Sequence, residues 1–122
     1  MTKALILDDN RTVMAKVKEF LIVLDNKIGL EKVLLFGSTA KQKRRKGSDI
    51  DLIIISKSFI GLNSLERGNL LLEDWPFVEE LDLLMYTPEE FEKISKRPLV
   101  KEMITTALNL TPKKTRLTQS TA

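Results

Sequence analysis

Apolar residues recur three and four positions apart at Val13, Val17, Phe20, Leu21, Leu24 and Ile28. They form one stripe along a helix that Asp9 or Asn10 caps and Gly29 stops. The pattern then shortens. Lys32-Val33-Leu34-Leu35-Phe36 is an apolar run ended by Gly37, which reads as a buried strand. From Ser38 to Lys46 the chain is polar, its first part a short helix and its second an exposed basic loop. Gly47-Ser48 leads into a second strand, Asp49 to Ser56, whose isoleucines suit a buried sheet. A helix over Ser64 to Asp74 follows, weakened by Gly68 and closed by Trp75-Pro76. A third strand runs from Glu80 to Tyr86, and Thr87, Pro88 and Glu90 then spell an N-cap, a first-turn proline and a capping box. The last predicted helix spans Leu99 to about Leu110 and ends at Pro112.

This alternation predicts an α/β (α+β) fold, a small mixed β-sheet with helices packed on it in two or three layers. A chain of 122 residues has room for one core, so residues 1–112 form a single domain and 113–122 a polar tail without fixed structure. The sequence contains neither cysteine nor histidine. Thiolate catalysis, disulfides and cysteine-ligated zinc are thereby excluded, and catalysis must rest on carboxylates, hydroxyls, basic groups or hard cations. The net charge of +3 is unevenly spread: five of the six residues from Lys41 to Lys46 are basic, while Glu73 to Glu92 carries eight acids and no Lys or Arg. No apolar run is long enough to span a bilayer, and Asp8, Asp9 and Asn10 interrupt the apolar start of the chain. The expected location is cytoplasmic.

Chemistry gathers at the strand ends. Asp49 and Asp51 flank Ile50, and the period of two in a strand puts both carboxylates on one face. Two anions held that close repel each other unless a cation lies between them, and oxygen donors at a strand end suit Mg²⁺. Asp82, on the next predicted strand, is the natural third ligand, and three carboxylates suffice for two ions. Gly37-Ser38 supplies the other half. A glycine at a strand end admits a phosphate close to the backbone, and the Ser38 hydroxyl donates to a phosphate oxygen.

Gly37-Ser38, ten intervening residues, then Asp49-Ile50-Asp51 resembles the signature of the DNA polymerase β-like nucleotidyltransferase superfamily. Gly37-Ser38-Thr39-Ala40-Lys41, Ser48-Asp49-Ile50-Asp51-Leu52, Glu80-Leu81-Asp82-Leu83 and Tyr86-Thr87-Pro88-Glu89-Glu90-Phe91 are similar to its minimal nucleotidyltransferase (MNT) branch. The resemblance covers about residues 30 to 95. It implies that Gly37 and Ser38 bind the β- and γ-phosphates of an NTP, that Asp49 and Asp51 ligate the metals, and that Asp82 completes the catalytic metal site. It implies transfer of a nucleoside monophosphate, AMP from ATP, to a hydroxyl. It further implies an antitoxin role, since MNT proteins often pair with HEPN-type ribonuclease toxins and some adenylylate them on tyrosine. Gln42 stands where many relatives have glycine.

Each feature also has a plainer reading. Asp-x-Asp often caps a turn, and Gly-Ser before a helix is an ordinary N-cap. Asp82 could be a strand-edge acid paired with a lysine, and Glu80 shares its face. The run Lys41 to Lys46 lacks interleaved aromatics and reads first as a solvated loop, with nucleic-acid binding the lesser alternative. Arg67 could touch phosphate or pair with a neighbouring acid. A chain this short leaves the acceptor to dock across an oligomer or on a partner protein. The rival classes are therefore a non-catalytic, partner-binding antitoxin module and a nucleic-acid-acting transferase.

Overall fold

The apolar stripe closes into helix α1 (Asn10–Ile28), in which Val17, Phe20, Leu21 and Leu24 are all at most 4% exposed. The computed structural model describes residues 10–36, 50–75 and 81–113, so Asp9 and the Val13 side chain lie outside what is described. Gly29 ends the helix as its position predicts. Its φ of 77° is left-handed, which costs glycine least, and its N–H returns to the Asp25 carbonyl at 2.9 Å.

Strands β1 (Lys32–Phe36) and β2 (Ile50–Ile55) pair antiparallel, and β3 (Leu81–Tyr86) lies parallel to β2. Helix α2 (Ser64–Leu72) fills the crossover between β2 and β3, after a 3-10 turn at Lys57–Phe59. Helices α3 (Pro88–Ile94) and α4 (Pro98–Thr106) follow β3. The chain then enters a short strand, β4 (Leu108–Asn109), antiparallel to β1, giving the sheet order β3-β2-β1-β4.

That last strand corrects one expectation. The final helix stops at Thr106 rather than near Leu110, so Pro112 does not end it. Ala107 is extended (φ −81°, ψ 154°), and the next residues satisfy their backbone on the sheet edge instead. Leu108 and Asn109 pair with Leu35 and Leu34, and the Leu110 N–H donates to the Val33 carbonyl at 2.8 Å. Leu110, expected near the end of that helix, is buried beside α1 as part of the edge segment. Tertiary pairing outweighs a local helical period that the β-branched Thr105-Thr106 already weakens.

The sheet is covered on both faces, so the architecture is three-layered. Val33, Leu35, Leu52 and Ile54 meet α1 together with Phe59, Leu71 and Leu110. Leu34, Ile53 and Ile55 face the other way, against Phe91 of α3 and Ile104 of α4. Each fully buried Leu, Ile or Phe contributes about 1.5–3 kcal/mol through removal from water. Trp75 joins the first layer edge-on to Phe20, their centroids 4.9 Å apart.

Two capping boxes fix the helix starts. Thr87 accepts from the Glu90 N–H while Glu90 accepts from the Thr87 N–H, as the sequence predicts. Asn63 and Glu66 make the same reciprocal pair at α2, a signal the spacing Asn63-x-x-Glu66 carries equally well but which the sequence reading passed over. Ser56, read as the end of the second strand, is instead fully buried and caps the 3-10 turn by accepting from the Ser58 N–H.

Candidate active site

Register brings the acids together. Asp51 and Asp82 are direct partners across the parallel β2–β3 pair, where neighbouring strands run about 4.8 Å apart. Residues in register on adjacent strands point the same way. Asp51 shares its face with Ile53 and Ile55, and Asp82 shares the same face with Leu84 and Tyr86. The far half of this face is roofed by Phe91 and Ile104. At the Asp51–Asp82 end Asp82 is exposed and Asp51 half-buried. Among the described residues no helix covers this end of the sheet, where Asp82 reaches solvent.

Phe36, the last residue of β1, is the register partner of Asp51, and Gly37-Ser38 follows it directly in the chain. Gly37, Ser38 and Asp49 themselves lie outside the described residues, as do Glu80, Gln42 and the basic run Lys41 to Lys46. Among the described residues no three carboxylates gather around one point. Asp51 and Asp82 are the two described members of the predicted trio, and Asp49 stands two positions before Asp51.

The plainer reading of Asp82 finds no support among the described residues, where no lysine or arginine forms an ion pair with it. Two carboxylates in register gain nothing from each other. Their arrangement suits a hard cation, which takes oxygen ligands and removes the repulsion.

Arg67 is a different matter. Its guanidinium forks onto Glu90, Nη1 to Oε1 at 2.8 Å and Nη2 to Oε2 at 3.1 Å. It also donates to the carbonyls of Leu62 and Met85, each at 2.9 Å, and lies 5.6 Å from the centre of the Phe59 ring. Hydrogen bonds from Arg67 and then from the Thr87 N–H hold the Glu90 carboxyl down to about 2. Of the two roles open from sequence, Arg67 takes the structural one, tying α2, β3 and α3 together with an acid further along the chain. Lys27 similarly joins α1 to the end of α2, donating to Glu73 at 2.8 Å, to Asp74 at 3.0 Å and to the Leu70 carbonyl.

The same layout exists elsewhere. A Sulfolobus solfataricus protein, whose crystal structure is described as "a putative nucleotidyltransferase", superposes with a TM-score of 0.60 over 82% of this chain and 80% of its own. At 19% identity that likeness establishes the fold alone. Among curated proteins none matches the chain. The model of the family "Polymerase beta, Nucleotidyltransferase" matches residues 16–107, a span that takes in every motif residue from Gly37 to Asp82. A four-stranded mixed sheet, helices on both faces and two acids in register across β2 and β3 complete the case: this chain belongs to the polymerase β nucleotidyltransferase family.

Proposed function

We propose that the chain transfers a nucleoside monophosphate, AMP from ATP, to a hydroxyl acceptor in the presence of Mg²⁺. The observation that carries this reading is the register pairing of Asp51 with Asp82 across β2 and β3. Both supply oxygen donors in register, the ligand type that a hard divalent cation takes. Asp49, Asp51 and Asp82 would hold two Mg²⁺ ions. Bound there, Mg²⁺ would offset the charge of the triphosphate and ease loss of the acceptor proton.

The chain's own groups do the rest. Gly37 admits the β- and γ-phosphates close to the backbone, and Ser38 donates to a phosphate oxygen. Asp82, exposed on β3, faces the side from which an acceptor approaches. The acceptor oxygen attacks the α-phosphorus in line, the bond to the bridging oxygen breaks, and pyrophosphate leaves with the β- and γ-phosphates.

The acceptor, in this reading, belongs to a protein partner, with the chain acting as the MNT antitoxin of a HEPN/MNT pair in the cytoplasm, alone or as an oligomer. No helix among the described residues is long and apolar enough to cross a membrane. Incubation with α-labelled ATP, MgCl₂ and the product of the neighbouring gene tests the proposal. Label passes to the partner with the native chain and is lost with the Asp49→Ala/Asp51→Ala double variant. Transfer that survives in the double variant sinks the transferase reading. Full neutralisation of the partner by that variant would instead identify a binding module.

A further inference from the structure

Strand β3 is an edge. It pairs with β2 on one side, and among the described residues nothing pairs with it on the other. The Tyr86 carbonyl accepts from the Ser56 N–H at 3.0 Å, so Tyr86, and with it Leu84 and Asp82, direct their backbone groups toward β2. Leu83 and Met85 consequently direct theirs outward. The Met85 carbonyl is already taken by Arg67 at 2.9 Å, which closes the edge at its C-terminal end. Among the described residues, what stays open is the stretch at Leu83, immediately beside Asp82. An open row of backbone donors and acceptors matches one kind of occupant well, another extended polypeptide.

Charge narrows the occupant further. The segment from Glu73 to Glu92, which contains β3, has eight acids and no basic residue; Lys27 pairs with Glu73 and Asp74 and Arg67 with Glu90, while Asp82, Glu89 and Glu92 take part in no ion pair among the described residues. Asp82 and Leu84 lie on one face of the strand, and both are exposed, Leu84 at 37%. A strand added to β3 would run about 4.8 Å away with its side chains alternating in step. A residue opposite Asp82 then presents its side chain on the carboxylate face, and a residue two positions on meets Leu84.

We infer that the free edge of β3 is the acceptor-docking site, taking an extended, basic polypeptide segment by strand addition and placing a Ser, Thr or Tyr hydroxyl beside Asp82. The inference rests on the transferase reading for its chemistry, but not for its geometry. In the step itself the hydroxyl oxygen bonds to the α-phosphorus of the nucleotide, the α-phosphorus bond to the bridging oxygen breaks, pyrophosphate departs, and the hydroxyl proton passes to water.

The probe is a fluorescein-labelled octapeptide alternating valine and lysine with one central serine, alongside the same peptide with every backbone nitrogen methylated. Side chains and charge are then identical, and only the donors differ. The parent peptide raises fluorescence anisotropy on titration with the full chain, and the methylated peptide binds at least about tenfold more weakly. Saturating parent peptide also slows hydrogen exchange at the Leu83 amide relative to exposed amides of α4. With α-labelled ATP and MgCl₂, the serine peptide takes the label. No binding, equal binding of the two peptides, or unchanged exchange at Leu83 overturns edge docking, whatever the transfer arm shows. Label passing to an octaadenylate RNA in preference to the peptide also overturns it. Binding with protection at Leu83 but no labelled peptide upholds the docking geometry and counts against the transferase reading instead.

Discussion

The two ends of the β2–β3 pair treat their acids in opposite ways. At the C-terminal end Glu90 receives a forked guanidinium and a backbone N–H, and its carboxyl is held down to about 2. At the N-terminal end Asp51 and Asp82 are set in register, two like charges side by side, with Asp82 exposed and outside any described ion pair. Glu90 is used for structure, whereas the proposed function gives the other two to a divalent cation. Asp82 stands at the start of β3 and Glu90 just beyond its end, on α3.

The comparison breaks most sharply under substitution. Asp82→Ala lowers nucleotide transfer by roughly a thousandfold, the several kcal/mol that a metal centre supplies, while stability moves by less than about 0.5 kcal/mol. Steady-state transfer and a urea melt on the same preparation check both halves. Arg67→Ala does the reverse: it takes the guanidinium from Glu90 and a donor from each of the Leu62 and Met85 carbonyls, and costs about 2 kcal/mol in urea unfolding. Arg67→Lys restores little, because a single ammonium does not reproduce the fork.

Smaller effects sharpen the contrast. Thr87→Ala removes a side-chain cap and costs about 1 kcal/mol in the same urea titration. Strong acid loosens the structural end through Glu90. Glu90's folded value is depressed from 4.5 to about 2, so its contribution is complete above 4.5 and is lost as pH falls toward 2. Because the Glu90 side chain is 45% exposed, solvent screening leaves about 1 kcal/mol at stake. Urea midpoints at pH 5 and pH 2.5 measure it, and Glu90→Gln should flatten that difference.

Much of this was legible in the sequence because local signals were strong. The Val17–Leu24 stripe, the glycine after α1, the bounds of β1 and the Thr87 capping box each follow from spacing and turn chemistry. The end of α4 was not legible. Whether Leu108 and Asn109 extend a helix or join a sheet depends on β1 having a free edge nearby, which no local pattern records. Arg67 illustrates the same limit at the level of chemistry. Its partner Glu90 is 23 residues away, so the sequence left it between phosphate contact and ion pairing. Asp82 is singled out as a proposed ligand by its position between leucines and by the family pattern, but its pairing with Asp51 needed a register, which the parallel crossover sets. Gly37, Ser38 and Asp49 stand as sequence assignments within a matched family span.

The division of labour is tested most directly by one labelling assay. Native chain, Asp82→Asn and Glu90→Gln are compared at equal folded concentration with α-labelled ATP, MgCl₂ and the product of the neighbouring gene. Asp82→Asn is expected to lose transfer, and Glu90→Gln to retain it despite a lower melting temperature. Transfer retained by Asp82→Asn, or lost in Glu90→Gln while that variant remains folded, would contradict that division.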